Sequence, residues 1–382
     1  MSFIESDERQ ALRAAVAELG AKYGADYYVR TAKAGKKTDE LWAEAGRLGY
    51  LGVNVPEEYG GGGGGIGDLA AVCEELAAAG CPLLLMVVSP AICATIIARS
   101  GTEAQKKHWL PRFADGSVKM AFAITEPDAG SNSHRITTTA RRDGGGWLLS
   151  GQKTFISGVD EADAVLVVAR TQDQKGNLRP SLFIVSTDAF TYTPIEMEIV
   201  SPEKQFVCHF DDVALPYEAL VGDEDGGLLQ LFAGLNPERI MAAAMGAGIG
   251  RLALSKATSY AKDRQVFKVP IGAHQGVAHP LAAAKIELEL ARLMGQKAAW
   301  LYDQGDDMGA GEAANMAKYA TAEAAIHCVD QAIQTHGGNG LTTEYGVGML
   351  AGVVRLMRIA PVSREMILNF VAQHSLGLPK SY

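Results

Sequence analysis

The chain has 382 residues, enough for two or three domains that each bury a hydrophobic core. Hydrophobic residues make up 48% and charged residues 21% of the sequence, a composition typical of globular proteins. The formal net charge of -9 argues against general binding to nucleic acids, which requires a basic surface.

The cysteines are odd in number and include no Cys-x-x-Cys pair; they are Cys73, Cys81, Cys93, Cys208 and Cys328. This pattern argues against a disulfide framework or a zinc site and favours a reducing compartment. Residues 1–10 turn acidic and polar within a few positions, unlike a signal peptide. No apolar run reaches the roughly 18 residues that cross a bilayer. We therefore expect a cytoplasmic protein with no metal site and no membrane span.

Residues 1–118 predict an N-terminal helical domain. They are rich in Ala, Leu and Glu, and apolar residues such as Leu12, Val16 and Leu19 recur at helical spacing. A run of six glycines, Gly60–Gly65, interrupts the helical pattern. A phosphate-binding loop would need Lys-Ser or Lys-Thr after the glycines, or a strand before them and a helix immediately after. Neither pattern is complete, so we predict a flexible loop.

The hydrophobic period changes in residues 119–225. Three short, apolar and β-branched segments indicate strands: 147–150, 164–169 and 181–185. Turn residues separate these segments, and no helical pattern lies between them. Strands at this spacing predict a middle domain built as an antiparallel β-barrel or sandwich.

The helical period returns in residues 226–382. Four segments could each form a long helix: 228–262, 275–303, 311–337 and 362–375. Small residues are dense at 242–248 and would let helix axes approach closely. We therefore predict a four-helix bundle as the C-terminal domain, which makes the chain an α+β multidomain protein.

Six motifs stand in a fixed order along these three domains. They are Thr-Glu-Pro-Asp-Ala-Gly-Ser at 125–131, Gly-Gln-Lys-Thr-Phe-Ile-Ser at 151–157, Phe-Asp-Asp-Val-Ala-Leu-Pro at 210–216, Glu-Arg at 238–239, Asp-Arg-Gln-Val-Phe at 263–267, and Gln-Thr-His-Gly-Gly-Asn-Gly at 334–340. Each motif alone has an ordinary structural explanation. Gly337 and Gly338, for example, could simply end a helix. Their joint order and spacing are far more specific.

Taken together, the motifs resemble the acyl-CoA dehydrogenase family over essentially the whole chain. The resemblance implies an FAD-dependent enzyme that removes an α-proton and a β-hydride from an acyl-CoA thioester. It also implies a homotetramer that passes electrons to electron-transferring flavoprotein. In such an enzyme the cofactor carries the redox step, and the protein supplies orientation and electrostatics.

The resemblance carries cofactor and substrate roles onto individual residues. Phe122, Ile124, Thr125, Gly130, Ser131, Phe155 and Ser157 match residues that line the flavin, and Ser131 also matches the start of the CoA chain. Arg264, Phe267 and Gln275 match residues that reach the FAD of a neighbouring subunit, and Gln334, Gly337 and Gly338 match a glycine turn against the FAD pyrophosphate and adenosine. Leu235, Arg239 and Ala360 are the further substrate-binding candidates.

The base that takes the α-proton must be a carboxylate in an apolar pocket, since burial makes it a better proton acceptor. Many family members carry this glutamate near the C-terminus, at the position that Ala360 occupies here. A second branch, similar to isovaleryl-CoA and long-chain acyl-CoA dehydrogenases, takes the base from a Leu-x-x-Glu-Arg segment. The matching residue is Glu238, with Glu365 as the runner-up. The Ala360 N–H would remain as a donor to the thioester oxygen.

Two local structures are open for the segment around Glu238. Asn236 is a good helix N-cap and Pro237 suits the first helical position, which would place Glu238 in the first turn. Alternatively the helix is continuous and Pro237 kinks it. A first-turn glutamate that only complements the helix dipole is the structural alternative to a catalytic role.

Two other functions remain open at this point. A relative with the same fold but different chemistry, such as a nitroalkane oxidase or a flavin monooxygenase, would replace or repurpose the glutamate. A non-catalytic or nucleic-acid-binding relative would keep the fold without binding FAD. For the substrate, small residues in the segment 84–97, namely Ser89, Ala91 and Ala94, would leave room for a long or branched acyl chain. Pro361, Val362 and the Ala351-Gly352 pair depart from the family pattern.

Overall fold

The computed structural model describes residues 5–173, 175–224 and 227–380, and only the backbone at 228 and 229. The predicted domain boundary at 225/226 and the first four residues lie outside these ranges. Among the described residues, no helix has the length and apolar character that crossing a bilayer requires.

Helices make up the N-terminal part of the chain. They are α1 (Asp7–Lys33), α2 (Asp39–Arg47), α3 (Ile66–Ala78), α4 (Leu84–Val88), α5 (Thr95–Ser100) and α6 (Glu103–Ala114). A π-helical segment, Ser89–Ala94, joins α4 to α5, and Pro90 lies within it. Thr102 and Gln105 begin α6 with reciprocal side-chain to backbone hydrogen bonds of 3.2 and 2.9 Å, the arrangement known as a capping box.

The six glycines form a loop, as predicted, but the loop is tightly held. The N–H groups of Gly62, Gly63 and Gly64 donate to backbone carbonyls in residues 52–55 at 2.8–2.9 Å. A Cβ at Gly61 would collide with the carbonyl group of Val55. The run therefore lets two backbone segments approach closely, and the prediction of a flexible loop was wrong in that respect.

The middle domain is one eight-stranded sheet in which strands β6-β7-β3-β2-β4-β5-β8 lie side by side and β1 pairs with β4. The strands are β1 (Met120–Ala123), β2 (Thr139–Asp143), β3 (Gly146–Ser157), β4 (Ala164–Gln172), β5 (Leu178–Ser186), β6 (Thr191–Ile195), β7 (Gln205–Pro216) and β8 (Leu220–Val221). Most pairings are antiparallel, but β1 and β2 both run parallel to β4. The sheet confirms the three strands that were predicted from their β-branched residues.

The C-terminal part is a helical bundle. Its helices are α7 (Gly227–Asp263), α8 (Gln275–Asp303), α9 (Asp307–His336), α10 (Leu350–Ile359) and α11 (Arg364–Phe370), and a short hairpin of β9 (Gln265–Val266) and β10 (Val269–Pro270) precedes α8. The Asn236 amide donates to the Asp307 carbonyl at 3.0 Å, and a Cβ at Gly246 would lie 3.2 Å from Thr321. In these two contacts the residue numbers increase together along both helices, which shows that α7 and α9 run in the same direction.

The predicted fold class is confirmed, with corrections within the bundle. The three long helices lie where the periodicity placed them. The fourth predicted helix, 362–375, is instead α11 followed by a π-helical segment, and α10 before it was missed. Pro237 lies inside a continuous α7, so Asn236 is not a cap and Glu238 is not in a first turn.

Buried ion pairs join the N-terminal helices to the bundle. Glu74 and Glu75 on α3 are both 5% exposed. Arg13, Arg251 and Arg292, from three other helices, approach these two carboxylates within 2.7–3.1 Å. Since an unpaired buried charge is costly, this network fixes α1, α3, α7 and α8 relative to one another.

Candidate active site

A bulge in β3 presents Phe155 to solvent. The pairing of β3 with β7 loses its register between Lys153 and Ile156. Phe155 adopts a left-handed backbone conformation, φ 56°, and its ring is 57% exposed. The N–H of Thr154 donates 2.9 Å to the carbonyl of Thr125, which follows β1. The bulge therefore aims an aromatic ring outward beside the segment that carries the Thr-Glu-Pro motif.

A buried ion pair holds this arrangement. The Lys153 ammonium lies 2.8 Å from the Glu126 carboxylate and donates at 2.9 Å to the carbonyl of Ile124. The Glu126 carboxylate also accepts from the backbone N–H groups of Thr137 and Thr138 at 2.6 and 2.9 Å. Burial opposes ionisation, but Lys153 and the other donors prevail and lower the pKa of Glu126 to about 2. Burial lowers the pKa of Lys153 to about 8, which leaves the pair charged at neutral pH.

The surface around the bulge has room for a planar ring and for polar contacts. Ile124 and Thr125 are half-buried, Gly130 and Ser131 are exposed, and Phe122 lies buried beneath them. A Cβ at Gly130 would meet no atom within 4 Å, so the backbone faces open space. The hydroxyl of Ser157 is paired with the side-chain amide of Gln205 at 2.9 Å. Sequence reasoning missed Gln205, because no motif marks it.

The second group of predicted FAD contacts lies at the end of the bundle. Arg264 follows α7, Phe267 is at the tip of the β9–β10 hairpin and is 87% exposed, and Gln275 begins α8. Gly337 and Gly338 end α9, where an added Cβ at either would meet no atom within 4 Å. Among the described residues no hydrogen bond or ring contact joins this group to the bulge. The open turn and the solvent-facing Arg264 could contact a phosphate-bearing ligand from outside the chain.

Aromatic stacking positions that end of the bundle. The rings of Tyr260 on α7 and His336 on α9 stack with centroids 4.4 Å apart. Asn339 donates to the Tyr260 hydroxyl at 3.0 Å, and His336 Nδ1 lies 2.7 Å from the carbonyl of Ala332. His336 therefore has a structural role in holding the glycine turn against α7.

Glu238 lies where the three domains meet. It belongs to α7 and is partly buried. It lies close to the Cys93 thiol of the π-helical segment: burial is the main cause of the raised pKa of that thiol, and the charge of Glu238 raises it further. Cys93 in turn contacts the carbonyl of Ala121 on β1 at 3.6 Å. Burial raises the pKa of Glu238 to about 7, against the opposing charges of Arg239 and Lys318. Among the described residues no hydrogen bond engages its carboxylate, which leaves a basic carboxylate free to accept a proton.

Arg239 lies behind Glu238 rather than on an open surface. It is 7% exposed, and one guanidinium N–H donates to the Asn236 side chain at 2.8 Å. Its Nε is buried with no hydrogen-bond partner. The geometry does not support the predicted contact between Arg239 and the substrate, because the side chain is enclosed between α7 and α9. Leu235, one turn earlier, is half-buried against the core that includes Ile92 and Ile96.

The turn after α10 differs from the prediction. The Ala360 N–H donates at 2.9 Å to the carbonyl of Leu356, which closes the helix. The expected donation from this N–H to a thioester oxygen is therefore not supported, because the group already has a partner. The runner-up base, Glu365, is exposed in the first turn of α11, where a carboxylate complements the helix dipole.

The predicted acyl-binding segment is buried between domains. Ser89, Ala91 and Ala94 are almost fully buried, and Ser89 accepts a hydrogen bond of 3.1 Å from the N–H of Met120. Ala94 also lines a cavity of about 480 Å³, whose walls include the polar side chains of Asn54, Arg99 and Asp303. That cavity is too polar to be an acyl tunnel along this face of the helix.

Comparison with known proteins defines the class. Family models for the N-terminal, middle and C-terminal domains of acyl-CoA dehydrogenases match residues 6–117, 121–205 and 225–376. The chain therefore belongs to the acyl-CoA dehydrogenase family. Members of this family use FAD to dehydrogenate acyl-CoA, and this chain is such an oxidoreductase.

Particular relatives are similar over the full length. Acyl-CoA dehydrogenase FadE12 of Mycobacterium tuberculosis is 67% identical over 384 residues, which cover 100% of this chain and 99% of the relative. A glutaryl-coenzyme A dehydrogenase in complex with glutaryl-CoA superimposes with a TM-score of 0.95 at 30% identity, over 100% of this chain and 98% of the other. A chain solved in work on the electron transferring flavoprotein of Acidaminococcus fermentans gives 0.93 at 29% identity, over 98% and 100%.

The residues described above fit an FAD. The exposed Phe155 and the open backbone at Gly130 leave space for a flavin ring, and the solvent-facing turn at Gly337 leaves separate space for phosphate groups. Glu126 and Lys153 lie within two of the sequence motifs, but the motifs do not predict that they pair. Lys318 has a weaker signal still, a single lysine in an alanine-rich helical run.

The Glu126–Lys153 pair yields a prediction for cofactor binding. Lys153→Met should leave a buried, unpaired carboxylate, lower the stability of the folded protein by about 3–5 kcal/mol, and release FAD as the two loops separate. Thermal unfolding and the ratio of FAD to protein measure both effects. Arg142→Met is the matched control, since it breaks an exposed pair with Glu224 and should cost less than about 1 kcal/mol. Equal stability losses in the two variants, with FAD retained, would contradict the assigned role.

Proposed function

We propose that Glu238 is the base that takes the α-proton of the acyl-CoA. The observation that carries the proposal is the position of its carboxylate: it lies at the junction of the three domains, accepts no hydrogen bond from the described part of the chain, and has a pKa raised to about 7 by burial. A general base is most effective when its pKa lies near the working pH. Ala360, at the position where many relatives carry the glutamate, has no proton-accepting group.

Glu238 would act in its ionised form, with its carboxylate against the α-carbon of the thioester. Burial raises the basicity of the carboxylate, while the positive charges of Arg239 and Lys318 limit how far its pKa rises. FAD, when bound, supplies the acceptor for the β-hydrogen, which leaves as hydride. The packing of α7 against the π-helical segment limits the hydration of the carboxylate, which preserves its basicity.

The two groups of exposed residues would bind two different FAD molecules. Ile124, Thr125, Gly130, Ser131, Phe155 and Ser157 form the surface around the β3 bulge, with Phe122 buried beneath it, and this surface suits the flavin ring of the chain's own cofactor. Arg264, Phe267, Gln275, Gln334, Gly337 and Gly338 face solvent at the far end of the bundle, which suits contact with the FAD of a neighbouring copy. A homotetramer would bring these two surfaces together.

An apolar stripe on α8 supports self-association. Ile286, Leu290, Leu293 and Trp300 recur at helical spacing and are 41–64% exposed. Contiguous exposed apolar residues of this kind mark contact surfaces between proteins. We propose that a second copy of the chain covers this stripe, and that two such pairs form the tetramer.

The electron acceptor and location are part of the same proposal. Reduced FAD must pass its electrons on, and the family resemblance supports electron-transferring flavoprotein as the acceptor. The five cysteines are free thiols, which suits a reducing cytoplasm. For the substrate we propose a long or branched acyl chain. The support is the small side-chain volume at Ser89, Ala91 and Ala94 in the segment beside Glu238, and not the polar cavity that Ala94 also lines. A preference for very short straight acyl chains in a flavin-reduction screen would contradict that choice.

Replacement of Glu238 tests the base directly. Glu238→Gln should keep FAD and acyl-CoA binding, because the amide has nearly the same shape, while anaerobic flavin reduction slows by about 10²–10⁴-fold. Stopped-flow absorbance at the flavin band measures the rate. Glu365→Gln, at the exposed runner-up position, is the matched control and should reduce its flavin at the wild-type rate. Fast reduction in Glu238→Gln, or a collapse in Glu365→Gln alone, would contradict the assignment.

Disruption of the α8 stripe tests the assembly. Leu290→Glu should place a charge in an apolar interface and dissociate a complex of four 40.4 kDa chains, with loss of FAD because the neighbouring contacts are removed. Light scattering after size-exclusion chromatography gives the mass. Leu48→Glu changes an equally apolar residue, 41% exposed on the N-terminal domain, and should leave the mass unchanged. An unchanged mass in Leu290→Glu, or a monomeric wild type, would rule out this interface.

A further inference from the structure

Lys318 is a buried lysine in the middle of α9. Its side chain is 2% exposed, although the lysines of soluble proteins are almost never fully buried. Contacts between α7 and α9 occur on both sides of it, at Asn236 with Asp307 and at Gly246 with Thr321. Because these helices run in the same direction, Lys318 lies beside the α7 segment that carries Glu238.

The ammonium of Lys318 has one hydrogen-bond partner among the described residues, the carbonyl of Val362. Val362 belongs to the turn between α10 and α11, which is defined here as residues 360–363. Thus Lys318 ties this turn to α9 within electrostatic reach of Glu238. A lysine buried with a single neutral acceptor keeps its charge only if anions lie nearby.

The same turn is held at both ends by Glu323, one turn further along α9. Glu323 pairs with Arg358 at the end of α10 and lies 3.3 Å from Arg364 at the start of α11. The Arg364 guanidinium also lies over the ring of Tyr319, 5.8 Å from its centroid. These side chains hold the turn together with Lys318, and the lysine adds a positive charge that acts on Glu238.

The charged groups that face Lys318 come from three helices. Glu238 and Arg239 face it from α7, Glu323 from its own helix, and Glu365 from α11. Burial lowers the pKa of Lys318 to about 8, and Glu238 is the strongest influence that opposes this shift. The effect is mutual, because the positive charge of Lys318 lowers the pKa of Glu238 and so opposes the rise that burial causes.

We propose that Lys318 is a positioning residue of the active site, which fixes the 360–363 turn against α9 and places a positive charge beside Glu238. The proposal rests on the function proposed above for Glu238. In this arrangement the cation keeps the carboxylate ionised in a partly desolvated pocket, where burial alone would favour the protonated form. The lysine does not touch the reacting atoms and acts through the base.

A pH profile separates this role from a purely structural one. Flavin reduction requires ionised Glu238, so the rate should rise with pH through a midpoint near 7 in the wild type. Lys318→Met removes the cation, raises the pKa of Glu238, and should move that midpoint upward by about half to one pH unit. Octanoyl-CoA, isovaleryl-CoA and palmitoyl-CoA are first compared under anaerobic conditions. The substrate that reduces the wild-type flavin fastest is then used for every variant.

Three further variants complete the test. Lys318→Arg keeps the charge and should keep the wild-type midpoint. Lys318→Gln keeps a donor for the Val362 carbonyl but loses the charge, so its midpoint should shift as in Lys318→Met. Lys256→Met is the matched control, because Lys256 also donates to a backbone carbonyl, that of Tyr345 at 3.0 Å, and is not among the charges that act on Glu238. Its midpoint should not move.

A lower rate with an unmoved midpoint in both Lys318→Gln and Lys318→Met would overturn the proposal, since a structural role alone predicts that result. If Lys318→Met fails to fold, the comparison of Lys318→Gln with Lys318→Arg decides in the same way. The pH profile of Glu238→Gln shows whether Glu238 causes the fall in rate at low pH. If the same fall remains in Glu238→Gln, Glu238 is not the base and this inference fails with it. If only the Lys318 variants depart from expectation, Glu238 remains the proposed base.

Discussion

Partial desolvation of the Glu238 carboxylate is the constraint on which the rest of the site depends. A carboxylate in water is a weak base, and one paired with donors is weaker still. At the junction of the three domains Glu238 has neither full hydration nor a hydrogen-bond donor among the described residues, and its pKa rises to about 7. Two nearby cations, Arg239 and Lys318, limit how far that pKa rises.

The architecture produces this environment by bringing distant parts of the chain together. α7 supplies the carboxylate, the π-helical segment covers it on one side, and α9 supplies a buried cation on the other. The buried arginine–glutamate network around Glu74 and Glu75 fixes α7 relative to the N-terminal helices. The Glu126–Lys153 pair fixes the flavin-facing surface of the sheet in the same manner. Both networks use charges that would be costly to bury unpaired, so each tolerates little displacement.

Local patterns predicted much of this molecule. Helical periodicity predicted the three long bundle helices, and β-branched runs predicted three strands of the sheet. Each element buries one face, so its apolar residues recur at a fixed spacing. The ordered motifs identified the family, and the alanine at position 360 directed attention to Glu238. These signals lie in the order of residues along the chain, either as a repeat within one element or as a series of motifs, and they can be read without knowledge of three-dimensional contacts.

Contacts between segments that are distant in sequence could not be predicted from local patterns. Asn236 looked like a helix cap, but its side chain bonds Asp307 and Arg239 inside a continuous helix. The glycine run was predicted to be a flexible loop, but its backbone bonds residues 52–55. No local pattern predicts this contact. The N–H of Ala360 looked free, but it closes α10. Lys318 is unremarkable in sequence and acquires its role only where α7 and the 360–363 turn meet α9.

The most direct test of the central claim isolates proton removal from hydride transfer. In a 3-thia acyl-CoA, sulfur replaces the β-carbon, so no β-hydride can leave while the α-protons remain acidic. Incubated anaerobically in D₂O and analysed by mass spectrometry, this analogue should gain deuterium at the α-carbon with the wild-type holoenzyme. With Glu238→Gln, which still holds FAD and the analogue, exchange should be lost. Exchange at the wild-type rate in Glu238→Gln would contradict the account, because another group would then be removing the proton.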